Sequence, residues 1–275
     1  MRREALWVGL VVLVVLALQI VRPLYRRAQR QRRLGEALSP QQREVIRRHV
    51  PLIEKLPEDF RARHEGLVRV FLAEKEFIGC AGLNLRDEMR WSIAAQACLL
   101  LINRADGCFD DMRTVLVYPE AFYVEHEEVD ASGVAQQRRR LLSGESWSEG
   151  QVIVSWADAL RGGALAADGY NVVIHEFAHQ LDGANGDVNG APMLGDEMPA
   201  EAWSRTMKAG FETLLAAMAR GETTLIDAYG GTHPAEFFAV TSEVFFEKPQ
   251  ALVREHPELY ACLQAVYRID PARWH

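Results

Sequence analysis

The sequence contains few cysteines, and their spacing excludes two common kinds of site. Its 275 residues include four cysteines, and no two of them form a C-x-x-C pair. They therefore provide neither a disulfide framework nor a cysteine metal centre. Cys98 lies in an apolar stretch, AAQACLLL, and we interpret it as a small core residue of a protein in a reducing compartment.

Internal repeats and low-complexity linkers are also absent from the sequence. Repeat architectures such as solenoids and propellers are therefore excluded. With 49% hydrophobic and 25% charged residues, a chain of this length can bury a full core. We predict two parts: a membrane anchor with a basic juxtamembrane segment at residues 1–33, and a single larger domain at residues 34–275.

Positive charge is scarce outside the amino terminus. Residues 1–33 contain eight arginines and one glutamate, a net charge of +7. Out of totals of 31 basic and 38 acidic residues, 23 basic and 37 acidic residues remain in 34–275, a net charge of −14. So acidic a domain argues against direct nucleic-acid binding. We expect the arginines to meet anionic lipid headgroups instead.

One apolar run, residues 5–21, approaches the length needed to cross a membrane. No small-x-small cleavage site follows it, so we favour an uncleaved anchor over a signal peptide. More arginines follow the run than precede it. The positive-inside rule then predicts a single-pass protein of the inner (cytoplasmic) membrane with its larger domain in the cytoplasm. A cytosolic protein is the alternative.

The stretch from Asn171 to Gly183 reads NVVIHEFAHQLDG and carries the most specific motif, H-E-x-x-H. In a helix, His175 and His179 lie one turn apart on one face, where both can bind the same metal ion. Glu176 points to one side of that pair and can act as a general base towards water. Asn171 is a suitable N-cap, and Gly183 is a suitable helix-ending glycine. The pattern predicts a zinc site on a buried helix.

Two histidines leave such a metal one protein ligand short, because hydrolytic zinc sites usually have three. The stretch YGGTHPAEFFAVTSEVFF downstream contains the candidates. Glu236 and Glu243 are seven residues apart and share one face of a helix predicted to begin at Pro234. A carboxylate in so apolar a helix needs a partner, and a metal would supply it. We rank Glu236 first, Glu243 second and His233 third.

Two further residues are candidates for supporting roles. Asp182 shares the helix face of the two histidines and is expected either to orient one of them or to lie on the surface. Tyr229 is expected either to donate its hydroxyl to an oxyanion or to pack in its loop.

The rest of the larger domain is predicted to be mostly helical with a small sheet. We propose residues 152–156 as the sheet edge that accepts an extended peptide, with an ordinary strand as the alternative. The predicted helices are 40–49, 58–74 and 87–103, the predicted strands are 114–118 and 151–156, and the predicted loops are 143–147, 161–169 and 183–199.

Four motifs together, VVIHEFAHQLDG, DAYGGTHPAEFFAVTSEVFF, AAQACLLL and GESWSEGQVIVSW, resemble the MtfA (DgsA anti-repressor) family of zinc-dependent peptidases over roughly residues 40–270. The resemblance implies zinc ligands at His175, His179 and Glu236 and a catalytic glutamate at Glu176. It implies a zincin-like α+β fold of gluzincin type, related to the catalytic domain of anthrax lethal factor, and a peptidase of aminopeptidase type.

The resemblance leaves other functions open. Members of the family bind a transcriptional repressor, so a regulatory protein with secondary peptidase activity is one alternative. A membrane-tethered quality-control protease is another, because the apolar segment at residues 5–21 departs from the enteric members, which lack it. The expected partners are therefore a peptide or protein substrate, a repressor and the membrane.

Overall fold

The computed structural model describes residues 21, 24–104, 108–129, 135–142, 144–147, 150–165, 167–196 and 198–274. The predicted anchor at residues 5–21 lies outside this description except for its last residue. Among the described residues, no helix combines the length and apolar character needed to span a bilayer. The anchor and the boundary after residue 33 stay predictions.

Helices make up most of the described chain. The helix predicted at 40–49 begins with a capping box, in which the Gln42 amide donates to Ser39 Oγ and the Ser39 amide donates to the Gln42 side chain. The helices are α1 (24–34), α2 (Pro40–His49), α3 (Glu58–Glu74), α4 (Asp87–Leu99), α5 (Trp156–Ala164), α6 (Val172–Asp182), α7 (Ala200–Ala219), α8 (Pro234–Glu247), α9 (Pro249–Glu255) and α10 (Pro257–Tyr267).

One helix prediction and one loop prediction need correction. The helix predicted at 87–103 ends at Leu99, because the amides that follow it bond three residues back, as the amide of Leu101 does to the Cys98 carbonyl. The loop predicted at 161–169 begins too early. Helix α5 continues to Ala164, starting from Ser155, whose hydroxyl accepts from the Asp158 amide.

The sheet has four strands in the order β1 (Glu76–Gly79), β2 (Thr114–Tyr118), β6 (Gln151–Ser155), β5 (Gly144–Trp147). Strands β1, β2 and β6 are parallel, and β5 is antiparallel to β6. Strands β3 (Phe122–Val129) and β4 (Ala135–Leu142) form a separate antiparallel pair.

The predicted edge strand is in fact an interior strand. Strand β6 pairs with β2 on one side and with β5 on the other, so residues 152–156 were wrongly assigned to the edge. The outer position belongs to β5, in a stretch predicted to be a loop. Its sequence, GESW, lacks the β-branched residues that mark a strand.

Helix α6 lies at the centre of the fold. It packs against the sheet strands β5 and β6 and against helices α4 and α8. Phe177 of α6 is fully buried, with its ring 5.5 Å from Phe71 and 4.8 Å from Phe109 between centroids. A helix surrounded in this way is apolar on nearly all sides, and its polar residues must find partners inside the protein.

Candidate metal centre

The start of α6 is fixed by its N-cap. Asn171 Oδ1 accepts hydrogen bonds from the amides of Val173 and Ile174, each at 3.1 Å. The helix therefore begins where the sequence predicts. His175 and His179 follow one turn apart on one face of the helix, with ring centroids 4.9 Å apart.

The start of α8 is fixed by His233. The side chain of His233 accepts from the Ala235 amide at 3.2 Å, and Pro234 occupies the first helical position. His233 is thus a helix cap, although the sequence analysis ranked it third as a metal ligand. The cap places Glu236 in the first turn of α8, on the side that faces α6.

Three ligand atoms from α6 and α8 meet at one point. The Nε2 atoms of His175 and His179 are 3.2 Å apart. Glu236 Oε2 lies 3.0 Å from His175 Nε2 and 3.3 Å from His179 Nε2. These residues form a group able to hold one metal ion.

The chemistry of these atoms fits a divalent cation. His175 Nδ1 lies 2.8 Å from Glu243 Oε1, and since a carboxylate only accepts, Nδ1 carries the proton. In a neutral ring, Nε2 of His175 then presents a lone pair to the Glu236 carboxylate. Converging electron pairs require a cation or a proton between them. Two imidazole nitrogens and one carboxylate oxygen are a donor set of hydrolytic zinc sites.

The pKa values of these residues also reflect the close approach of their ligand atoms. Burial lowers the pKa of His175, but hydrogen bonds with Glu236 and Glu243 raise it overall well above its ordinary value. Burial also raises the pKa of Glu236, but hydrogen bonds from both histidines hold it far below its ordinary value. The site therefore favours positive charge at its centre, which a metal ion provides.

Glu243 holds His175 rather than joining the metal group. One carboxylate oxygen contacts His175 Nδ1, and the other accepts the hydrogen bond of the Asn171 amide. The side chain is almost fully buried. Glu243 therefore orients His175 and ties α8 to the start of α6.

Glu176 lies beside the group without a partner of its own. It is 4% exposed, and its Oε2 has no hydrogen-bond partner among the described residues. Burial raises the pKa of Glu176 to about 7, although the nearby His175 and His179 lower it. A carboxyl group with a pKa near neutrality can both accept and return a proton.

Tyr229 lies next to the metal group. It belongs to a 3-10 turn, Ala228–Gly231, that is capped by Asp227, whose side chain accepts from the Tyr229 amide at 2.8 Å. The Tyr229 ring centroid is 5.9 Å from that of His175, and the residue is 39% exposed. The ring is therefore at the open side of the site, in contact with solvent.

Asp182 does not bond to a histidine. Its two carboxylate oxygens accept from the amides of Gly190 and Ala191, each at 2.7 Å. The side chain is fully buried. Asp182 thus fixes the loop after α6. Neither role expected for it is observed, because its oxygens accept from loop amides and its side chain is buried instead of lying on the surface.

The sequence analysis missed Glu247. This residue is 6% exposed, and its Oε2 accepts from the Gly169 amide at 3.0 Å, just before α6. It follows Glu243 by one helical turn in an otherwise apolar helix, and that repeat was the available signal. Together the two glutamates hold the segment that leads into α6.

A mostly helical α+β fold with an H-E-x-x-H helix and a downstream glutamate is the arrangement of a metallopeptidase. The chain matches the family described as Glucose-regulated metallo-peptidase M90 over residues 25–268, and it belongs to that family. The resemblance found in the sequence is thereby confirmed, since proteins called Mlc titration factor A are among its relatives.

Two of these relatives come from Salmonella agona and Pectobacterium atrosepticum. The Salmonella agona protein is 34% identical over 227 residues, 82% of this chain and 84% of its own length. The Pectobacterium atrosepticum protein is 32% identical over 225 residues, 81% of this chain and 84% of its own length. A Synechocystis protein, Uncharacterized protein slr2042, is 37% identical over 235 residues, 85% of this chain and 86% of its own length.

Proposed function

We propose that this chain is a zinc-dependent peptidase whose zinc is held by His175, His179 and Glu236. One observation carries the proposal: three metal-ligating atoms from two helices converge within hydrogen-bonding distance, beside the buried Glu176, whose Oε2 has no hydrogen-bond partner among the described residues. Membership of a metallopeptidase family supports the reaction class.

In the proposed mechanism, Glu176 moves the proton. When bound at such a site, zinc lowers the pKa of a water molecule towards neutrality and polarises the carbonyl of the scissile bond. Glu176 accepts the proton of the attacking water and returns it to the leaving amine. Its burial supports this role, because a pKa of about 7 suits both steps. The Tyr229 hydroxyl donates a hydrogen bond to the developing oxyanion.

The proposed peptide site runs along strand β5. This strand is the outer one of the described sheet on the side of β6, and it contacts the metal-binding helix α6. An extended peptide can add to such an edge through main-chain hydrogen bonds. The strand proposed to pair with the peptide is therefore Gly144–Trp147, instead of residues 152–156.

Exchange of Glu176 for glutamine tests the mechanism. We expect Glu176→Gln to bind zinc like the wild type but to cleave peptides about 10²- to 10⁴-fold more slowly, the usual loss when a general base is removed. Metal content and cleavage of a fluorogenic peptide library, with and without chelator, measure the two properties separately. Wild-type cleavage by the variant would refute Glu176 as the base.

The aminopeptidase type rests on the family resemblance and needs its own assay. An aminopeptidase requires a free amino terminus, so we expect N-acetylation of a test peptide to abolish cleavage by the wild-type protein. Equal cleavage of free and acetylated peptides would make the enzyme an endopeptidase and leave the zinc mechanism intact.

Repressor binding is a second candidate function. The name of the Salmonella and Pectobacterium relatives, Mlc titration factor A, says that those proteins titrate Mlc. We propose that this chain binds a transcriptional repressor of similar kind. Glu176→Gln is the suitable bait, because binding need not depend on catalysis. Failure of a purified Mlc-type repressor to bind this variant, when it binds a Mlc titration factor A, would exclude the candidate.

A further inference from the structure

A large cleft lies on the side of the domain built by α1, the segment after it, and the first halves of α2 and α3. Its volume is about 1480 Å³, and its lining includes six arginines and three glutamates. None of these residues belongs to the metal group. Two of the arginines come from the basic segment at residues 1–33, and the other four lie in residues 34–275, whose net charge is −14.

Part of this charge is neutralised within the protein. Arg30 pairs with Glu74 and Asp110, at 2.5 and 2.6 Å. Arg43 pairs with Glu65 at 2.8 Å. These ion pairs hold the walls of the cleft together and account for two of its arginines.

Other arginines of the cleft keep their charge. Arg61 donates to the carbonyl oxygens of Glu54 and Leu56, and Arg63 donates to that of Arg104. Within the described part of the chain, no carboxylate lies within 4.0 Å of Arg27, Arg61 or Arg63, although an exposed glutamate, Glu58, also lines the cleft. These exposed guanidinium groups can still bind an anion.

The position of the cleft indicates the kind of anion. The described part of α1 begins with exposed side chains, Leu24 at 57% and Tyr25 at 64% exposure, and Leu24 lies three residues after the end of the apolar run at residues 5–21. Arg30 follows Leu24 by about 9 Å along the helix. Apolar and tyrosine side chains followed by arginines are typical of a helix that leaves a membrane surface.

We propose that this cleft binds the phosphate-bearing headgroup of an anionic phospholipid. Guanidinium groups bind phosphate through two parallel hydrogen bonds. Arg27, Arg61 and Arg63, which have no carboxylate partner among the described residues, supply these bonds. The arginines of the cleft produce a local positive electrostatic potential, which attracts an anionic ligand. Lipid binding there orients the domain at the membrane and is independent of metal binding and of peptide cleavage.

The test measures lipid binding by the full-length protein in neutral detergent. We use isothermal titration calorimetry with dioctanoyl phosphatidylglycerol, dioctanoyl phosphatidylcholine and inorganic phosphate. The three titrations distinguish the contribution of the headgroup charge to binding from the contributions of the acyl chains and of phosphate alone. We expect binding of the phosphatidylglycerol, at least about tenfold weaker binding of the phosphatidylcholine, and no measurable competition by millimolar phosphate.

Two variants and a control locate the site. Arg61→Gln/Arg63→Gln is expected to weaken phosphatidylglycerol binding at least about tenfold. Because Arg61 also donates to the carbonyls of Glu54 and Leu56, a second variant, Arg27→Gln/Arg63→Gln, keeps those two bonds and removes only the bond of Arg63 to the Arg104 carbonyl. A similar loss of lipid binding is expected. Arg254→Gln, an exposed arginine of α9 outside the cleft, is expected to bind like the wild type.

Three results would overturn the proposal. The first is wild-type affinity for phosphatidylglycerol in both double variants, and the second is equal affinity of the wild type for the two lipids. The third is displacement of the lipid by inorganic phosphate at equal concentration, which would make the site a free-phosphate site.

Discussion

His175 is held from both sides of its ring by glutamates of one helix. Its Nδ1 contacts Glu243, and its Nε2 contacts Glu236 and faces His179. The two glutamates are two turns apart on α8, and the imidazole reaches between them. One glutamate therefore fixes the tautomer of the ring, and the other completes the metal group.

Because Glu236 and Glu243 have different roles, we expect their substitutions to give different results. Glu236→Ala removes a ligand atom, so we expect it to lose zinc in dialysis. Glu243→Gln leaves all three ligand atoms in place, and we expect it to retain zinc with an affinity about 10- to 100-fold lower. Metal analysis at buffered free zinc concentrations measures both. Zinc retained in Glu236→Ala but lost in Glu243→Gln would transfer the ligand role to Glu243.

Periodicity could find these residues but could not sort their roles. Glu236 and Glu243 share a helix face, so the spacing left both open as ligands, and only the family resemblance ranked Glu236 clearly first. Asp182 shares a face with the histidines, yet its oxygens bond to loop amides. The spacing of residues along a helix does not reveal that a side chain such as Asp182 bonds to the amides of a loop.

At the scale of elements, the junction between α8 and the segment before α6 is the main support of the site. Glu243 accepts from the Asn171 amide, and Glu247 accepts from the Gly169 amide. Glu247 is the less satisfied of the two, because its Oε1 has no hydrogen-bond partner among the described residues. Burial raises the pKa of Glu247 to about 9, with Asp168 and Glu243 adding to the rise and Asn171 opposing it.

The raised pKa of Glu247 makes stability depend on pH. Between its ordinary pKa of 4.5 and about 9, the folded state keeps a proton that the unfolded state releases. Stability therefore falls as pH rises through this window. Glu247→Gln has no proton to lose, so its free energy of unfolding should exceed that of the wild type by a margin that grows by about 1–3 kcal/mol between pH 5 and pH 8.

Urea unfolding of both proteins at pH 5, 6.5 and 8 measures this margin. Glu212→Gln, a change at an exposed glutamate of α7, is the matched control. A margin that stays constant with pH in Glu247→Gln, or one that grows equally in the control, would contradict the assignment.

Elements with strong local signals were predicted from sequence, and the sheet edge was not. The starts of α2 and α6 carry side-chain caps that fix them within the chain itself. Strands β2 and β6 are apolar and β-branched, which marks a strand but not its position in a sheet. Strand β5 is defined by its pairing with β6 and not by its own composition, so local patterns missed it.

At the scale of the whole molecule, the metal group joins parts of the chain that are far apart in sequence. His175 and His179 belong to α6, and Glu236 lies 61 and 57 residues later, in α8. A cation bound there holds together the two helices that form the centre of the core. Any ligand that binds the folded state alone stabilises the whole domain.

Thermal unfolding should therefore report zinc binding. At a free zinc concentration 100 times the dissociation constant, the stabilisation is about 2.7 kcal/mol, which raises the Tm of a domain of this size by about 5–10 °C over that in chelator. Glu236→Ala should unfold at the same temperature in both conditions, because its ligand set is incomplete. Differential scanning calorimetry of the two proteins makes the comparison. A zinc-dependent rise of Tm of equal size in Glu236→Ala would mean that the stabilising ion binds elsewhere on the chain. The ligand atoms of α6 and α8 would then not form the metal centre.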